Sequence, residues 1–507
     1  VNVAIPGDVP EEVDGSCFSV TRSDRLNSIP RIVIAATGSG GGKTTLTMGL
    51  IGALRKRGLI VQPFKCGPDY IDPGFHTLAA GRSCRNLDTR LIPEETILEL
   101  FERASAGADI AVIEGVMGLF DGAGPFDERG STAHLAKLLL APVIVSMDCR
   151  GMARSAGAMA LGYDRYDPEL QVAGYIGNNL GSRRHYDLIA PAIESATRGI
   201  AFGYLPRNPD LTMPERHLGL VPAWETGGLR GSDGSGRDAG DTVSRFLRDA
   251  AAAVEETVDV DGILQAARSA DPIRGCRGSG GLFATLKKGR TVRIGYAGDD
   301  AFCFYYRDNL DILEALGAEL IRFSPVADDV LPEDLGALYF GGGYPELFAC
   351  RLQENQTMRK AVTAAIHAGM PAIAECGGLM YLCRTLIDAE GNEYEMCGAV
   401  PGRVTMKRRL GALGYYDAEI LNPCFFGASG ERAVGHVFRW STLETEENGA
   451  ARAFLLRKPD SSGRVVEPLA DGFVVNACVA SYLHLHFASC PEWADRFVDA
   501  AREYRAL

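Results

Sequence analysis

Apolar residues fall in short unbroken blocks, and between the blocks apolar positions recur at helical spacing. Blocks of this length bounded by turn residues read as strands buried on both faces. Arg31–Ala36 is such a strand, and Leu46–Arg57 reads as a helix after a glycine-rich turn. The strand pattern repeats at 59–64, 110–115, 141–148 and 174–178, with helices at 93–106 and 132–140 between. Strand and helix alternating through short loops imply a mostly parallel sheet covered on both faces. Residues 226–241 turn polar and glycine-rich, helical segments follow at 243–253 and 263–269, and a second break spans 274–281. A fresh alternation then begins: strands at 291–297, 319–323, 337–340 and 371–374, with helices at 306–317 and 356–368. The fold class expected is α/β, two doubly wound mostly parallel sheets in succession. The divisions expected are a polar extension over 1–30, a first domain over 31–272, a linker over 273–290 and a second domain over 291–507.

At 507 residues the chain exceeds what one core organises. Hydrophobic residues at 46% and charged ones at 23% are ordinary for a globular protein. No apolar run approaches the roughly 18 residues that span a bilayer, and the first residues show no signal-peptide pattern, so a cytoplasmic protein with no membrane partner is expected. Thirteen cysteines without a Cys-x-x-Cys pair imply reduced, mostly buried thiols rather than a disulfide framework or a zinc site. The net charge of −13 gives no drive toward nucleic acid, so an anionic substrate would need a local basic patch.

The turn after Arg31–Ala36 reads Thr37-Gly-Ser-Gly-Gly-Gly-Lys-Thr-Thr45. Glycines such as Gly40 and Gly42 let successive N–H groups turn on a polyphosphate; Lys43 reaches its end, and Thr44 can ligate Mg²⁺. Thr37 stands where the usual spacing has its first glycine, which makes the loop a variant. Asp69 and Asp72 lie at the carboxyl end of the next strand, where ligands bind in open α/β sheets. Glu114, ending another strand, is the leading candidate to hold Mg²⁺, and Asp121 could orient the acceptor or the transferred group. In the second half, Cys376 stands on a strand-to-helix turn followed by glycines, an arrangement that exposes a nucleophile and activates a thiolate. His484 and His486 share one face of a strand, so spacing alone does not choose the base. Together with the glycines at 341–343 they point to acyl transfer.

Lys65-Cys-Gly-Pro-Asp-Tyr-Ile-Asp-Pro73, Glu114-Gly-Val-Met-Gly-Leu-Phe-Asp121, Pro214–Pro222, Gly341-Gly-Gly-Tyr-Pro-Glu346 and Glu375-Cys-Gly-Gly-Leu-Met-Tyr381 resemble the cobyrinic acid a,c-diamide synthase family. The likeness runs in order from about Arg31 to Arg505. It implies a dethiobiotin-synthetase-like P-loop NTPase domain followed by a class I glutamine amidotransferase domain. It also implies ATP-dependent, glutamine-hydrolysing amidation of the a and c acetates of a corrinoid through an acyl phosphate. Under the resemblance Cys376 is the nucleophile and His484, in Tyr482-Leu-His484, the base; Gly377 with Gly342 or Gly343 supplies oxyanion donors. Gly40, Gly42, Lys43, Thr44 and Thr45 hold ATP, and Asn178 reads the adenine. Mg²⁺ rests on Thr44, Glu114 and Asp69, while Asp69, Asp72 and Asp121 line the place where the carboxylate is activated. The implied partners are small molecules, namely a tetrapyrrole polyacid, ATP and glutamine, with a homodimer left open.

A polycarboxylate macrocycle needs cations, and Arg183-Arg184-His185, Arg216-His217 and Lys407-Arg408-Arg409 are candidates. One segment departs from the family pattern. Members read Gly-His-Glu-Phe-His-Tyr-Ser where this chain has Gly435-His-Val-Phe-Arg-Trp-Ser441, so Val437, Arg439 and Trp440 replace Glu, His and Tyr. If that segment touched the tetrapyrrole, sirohydrochlorin, its nickel form or sirohaem would be alternative substrates. A partitioning or switch ATPase is a reading of another class; it lacks the usual second lysine, since Gly38 holds that place, and has no use for Cys376.

Overall fold

The computed structural model describes residues 29–208, 211, 215–216, 219–220, 236–273, 280–445, 450–458 and 467–506. Residues 1–28 of the extension expected over 1–30 and most of the break at 274–281 lie outside these residues. Seven strands form the first sheet, all parallel, in the order Arg85–Leu87, Val61–Cys66, Ile110–Glu114, Arg31–Ala36, Val143–Asp148, Val172–Leu180, Ile200–Pro206. Successive residues of Arg31–Ala36 enter different cores. Ile32 and Ile34 join the cluster with Leu46, Val254 and Ile263, whereas Val33 and Ala35 join Leu100 and Leu135. That period of two is why the strand carries an unbroken apolar run.

The helix Gly236–Thr257 lies against Lys43–Lys56, closely enough that a Cβ on Gly49 would stand 2.6 Å from Val254 Cγ2. Arg31, fully buried, donates to the carbonyls of Leu139 and Asp271, closing the start of the domain on its end. Because Arg31–Ala36 has Ile110–Glu114 on one side and Val143–Asp148 on the other, chain direction across the sheet reverses beside it. The loops at 37–42 and 115–122 therefore share one crevice at the carboxyl edge.

The second sheet has six strands, Ala318–Phe323, Val292–Ala297, Leu335–Phe340, Ala372–Glu375, Cys478–Ser481 and Phe473–Val475, parallel except at the last pair. Two further sheets, of four and five strands, occupy 385–485. In the five-stranded one, Arg432–Arg439 pairs with Leu483–Leu485 so that His436 faces His484.

The halves are joined by polar and aromatic contacts. Arg85 pairs with Asp308 at 2.6 Å, Tyr415 Oη donates to Asp88 Oδ2 at 2.9 Å, and Arg103 lies 3.6 Å over the Phe283 ring. Among the described residues no helix is long and apolar enough to cross a membrane.

Candidate active site

The glycine loop forms one wall of a cleft of about 450 Å³, lined by Gly40–Thr45, Asp72, Asn178 and Pro206. Gly40 and Gly42 adopt φ of +74° and +84°, the left-handed region that turns N–H groups inward. At Gly42 a Cβ would stand 2.3 Å from Asn178 Nδ2, so only glycine lets the loop and Asn178 meet. Lys43 Nζ is held by the carbonyls of Gly38 and Met117, and burial lowers its pKa against the pull of Glu114. Thr45 Oγ1 donates to Leu211 O, and Thr44 Oγ1 to Glu114 Oε1 at 2.8 Å.

Behind Thr44 stands a group that the sequence reading passed over. Lys65, next to last in its strand, is buried among three carboxylates: its Nζ donates to Asp72 Oδ2, lies 2.9 Å from Glu114 Oε1 and 3.6 Å from Asp69 Oδ2. Burial opposes the Lys65 charge, but Asp72, Glu114 and Asp69 outweigh it and hold its pKa well above the ordinary value. For Glu114, fully buried, burial favours the acid, yet Lys65 and His76, 2.5 Å from Oε2, hold its pKa far below the ordinary range. Asp72 goes the other way, pushed up by burial and then by Asp69.

Asp69 uses one oxygen to accept from the N–H of Ile71, so it starts the helix Ile71–Ala80 and sits at the edge of the cluster. Asp121 does not join these carboxylates by hydrogen bond; its Oδ2 accepts from Gly118 N–H at 2.9 Å and closes its own turn. Among the described residues no three His, Cys, Asp or Glu side chains are disposed to hold a metal by themselves. The hard oxygens of Thr44 and Glu114 suit Mg²⁺ shared with phosphates.

The second centre lies where Ala372–Glu375 ends. Cys376 has φ +49° and ψ −100°, a strained elbow before the helix Gly377–Leu382. Cys376 is 8% exposed, and its thiol points at Phe438 O, 3.6 Å away. Burial pushes the thiol up to about 12, while the N–H of Gly377 at the helix start pulls it down. His484 lines the same slot, while His486 is fully buried, accepts from Ala488 N–H and packs on Tyr306. Burial pushes both imidazoles down to about 3, so the resting pair at the slot is neutral thiol and neutral imidazole.

One expected oxyanion donor is corrected. Gly342 N–H already donates to Phe304 O at 3.2 Å, because the loop is laced to 303–304 by main-chain bonds. Gly343 N lies 2.9 Å from where a Cβ of Gly377 would be, so those two glycines remain neighbours at the elbow.

Three further residues complete the site and had gone unread. Glu375 accepts from Leu485 N–H and from Tyr339 Oη, each at 3.0 Å, and lies 4.0 Å from His484 Nδ1. A carboxylate ending an apolar strand beside the nucleophile was the available signal, the same that marked Glu114. Tyr70, between Asp69 and the helix holding Asp72, crosses to the cysteine slot. Its ring lies 4.9 Å from that of His484 and 4.6 Å from that of Tyr306. His436 is buried, its Nδ1 has no hydrogen-bond partner, and burial pushes it down to about 4 although Asp69 pulls upward.

Of the cation clusters, Arg183 is taken by Asp187 at 2.9 Å and His185 by Met152 O, Lys407–Arg409 is an exposed turn, and the side chains of 216 and 217 lie outside the described residues.

Residues 32–221 match the model of the CobQ/CobB/MinD/ParA nucleotide binding domain, and residues 293–491 that of the CobB/CobQ-like glutamine amidotransferase domain. A Dehalococcoides mccartyi protein named cobyrinate a,c-diamide synthase is 42% identical over 485 residues, which are 95% of this chain and 100% of the relative. The chain belongs to the cobyrinate a,c-diamide synthase family. Relatives of the same name from Syntrophotalea carbinolica and Methanosarcina acetivorans are 44% and 42% identical; each alignment covers 94% of this chain, with 99% and 97% of those proteins. Membership of the cobyrinate a,c-diamide synthase family makes this chain an ATP-dependent, glutamine-hydrolysing amidating ligase of cobalamin biosynthesis.

Proposed function

We propose that the chain amidates the a and c acetate carboxylates of cobyrinate in turn, using ATP and glutamine. The relatives' name supports the substrate, and one structural observation supports the coupling. The stretch that carries Asp72 to the nucleotide cleft also carries Tyr70, two residues earlier, into the cysteine slot, so the two chemistries are adjacent within one chain.

In the nucleotide cleft a carboxylate oxygen attacks the γ-phosphorus, ADP leaves, and an acyl phosphate forms. Lys43 and the loop N–H groups hold the phosphates, Thr45 belongs to the same wall, and Asn178 with Asn208 lines the side suited to the base. Thr44, Glu114 and Asp69 are the oxygens that would share Mg²⁺, which supplies charge neutralisation at the phosphates when bound. Lys65 keeps Glu114 ionised and pins the carboxylates together. Asp72, facing the cleft, and Asp121, near enough to Lys43 to pull its pKa upward, position the acceptor.

In the cysteine slot His484 takes the thiol proton, Cys376 Sγ attacks the carboxamide carbon, and Gly343 with Gly377 receives the oxyanion. Ammonia leaves, water then releases glutamate from the thioester, and the ammonia displaces phosphate from the acyl phosphate. Holding ammonia inside one chain keeps it unprotonated near its acceptor.

The segment that departs from the family pattern lines the cysteine slot through Phe438, Arg439 and Trp440, and Val437 is buried; none of them lines the nucleotide cleft. The altered residues therefore sit with the amide-donor chemistry, and the relatives' name supports cobyrinate as the acceptor. Mass spectrometry of products from cobyrinate, sirohydrochlorin and nickel-sirohydrochlorin, each with ATP, Mg²⁺ and glutamine, tests the substrate. Double amidation of cobyrinate is expected, and amidation of the sirohydrochlorins alone would refute the reading.

A further inference from the structure

The slot beside Cys376 is walled by apolar groups such as Phe304, Met380, Met406 and Phe438, yet it holds two charged side chains of opposite sign, Glu346 and Arg439. Both line the slot together with Cys376, and both act on its thiol electrostatically, Glu346 raising and Arg439 lowering its pKa. Arg439 ends the strand Arg432–Arg439, and its main chain is pinned by the N–H of Gly411. The guanidinium lies 4.5 Å over the Tyr482 ring, and Tyr482 is held by a 2.6 Å hydrogen bond to Ser441. A cation stacked on a fixed ring is aimed rather than free.

Two donors on this segment stand without partners: Arg439 Nε and, next along the chain, Trp440 Nε1 are buried and make no hydrogen bond. Leaving two such donors unpaired is costly unless something fills their place during function. The main chain of Trp440 is fixed too, its carbonyl accepting from Lys407 N–H at 2.6 Å. These are the positions where the family pattern has His and Tyr.

We propose that Arg439, with Trp440 beside it and Glu346 in the same slot, is the recognition site for the amino-acid end of the amide donor. The Arg439 guanidinium and the Trp440 indole N–H take the α-carboxylate, and Glu346 takes the α-ammonium. The inference deepens the proposed function, because it rests on Cys376 attacking the donor's carboxamide. A zwitterionic end group fits two opposed charges in an apolar slot, and the arrangement selects against amides that lack either charge.

Hydrolysis kinetics with three amides test it: glutamine, glutaramate, which lacks the ammonium, and 4-aminobutanamide, which lacks the carboxylate. An amide turned over too slowly is measured as a competitive inhibitor of glutamine hydrolysis. Arg439→Ala should weaken glutamine and glutaramate about 10- to 150-fold, through KM or Ki, and leave 4-aminobutanamide within about 2-fold. Glu346→Gln should do the converse, weakening glutamine and 4-aminobutanamide but not glutaramate. Arg439→Lys should recover part of the glutamine affinity. Equal weakening of all three amides by Arg439→Ala would assign it a merely structural role and overturn the proposal, as would an unmoved KM for glutamine. Ammonium-supported amidation of cobyrinate by the same wild-type and variant proteins reports the proposed function separately. Its absence from the wild type would refute that function, while the pattern across the three amides would still decide the role of Arg439.

Discussion

Glutamine in place of Glu375 should make the protein more stable at alkaline pH. Glu375 is 4% exposed, and burial pushes its pKa from 4.5 up to about 8 despite the hydrogen bonds from Leu485 N–H and Tyr339 Oη. A carboxyl whose folded pKa lies above its unfolded one binds its proton more tightly in the native state. Its contribution is therefore complete below about pH 4.5 and is lost as pH rises through about 8. The gap, at about 1.36 kcal/mol per pH unit, amounts to about 5 kcal/mol. Glu375→Gln is uncharged at every pH and keeps the shape. Its carbonyl still accepts from Leu485 N–H, and its amide can donate to Tyr339 Oη once that hydroxyl turns. Under acid conditions the variant should match the wild type within about 1 kcal/mol. At pH 9.5 its thermal midpoint should lie above the wild type's, and for a domain of this size about 5 kcal/mol corresponds to about 10–20 °C. Calorimetric melts of both proteins from pH 5 to 9.5 measure it, other titrating groups cancelling in the difference. A variant that is less stable by the same amount across the range would show that Glu375 is ionised in the native state and would refute the reasoning.

Two further outcomes follow from the cluster around Lys65. Lys65→Met leaves Asp72 and Glu114 buried without their cation, which should cost about 3–5 kcal/mol and abolish amide formation; thermal melts and ammonium-supported assays check it, and an unchanged midpoint would contradict it. Tyr70→Ala removes the ring that links the carboxylate loop to His484, so glutamine hydrolysed per amide formed should rise at least about 5-fold, read as glutamate against amidated product.

Much of the frame was readable because its chemistry is local. The glycine loop shows itself where backbone must turn left-handed, and the elbow at Cys376 shows itself by the glycines after it. The helix Ile71–Ala80 was hidden because Pro73 and Gly74 sit in its first turn, where proline is tolerated but reads as a breaker. The short, mostly antiparallel strands over 385–471 bury few positions and carry weak alternation. Tyr70 and Glu375 act through neighbours far along the chain, which no local pattern displays; Lys65 has Asp69 and Asp72 close in sequence, but Glu114, which completes its cluster, is distant. The segment 437–440 shows the same limit: the sequence marked it as unusual, but only pairing of His436 with His484 places it over the thiol rather than near the nucleotide. Gly342 could not be separated from Gly343 until the bond to Phe304 was seen.

The central claim is that one half of the chain activates a carboxylate while the other releases ammonia for it. Cys376→Ala and Lys43→Ala proteins, each assayed for amidated cobyrinate with ATP, Mg²⁺ and either glutamine or ammonium, test it most directly. Cys376→Ala should form the amide from ammonium but not from glutamine, and Lys43→Ala should form it from neither. Amide made by Cys376→Ala from glutamine, or by Lys43→Ala from ammonium, would contradict the account.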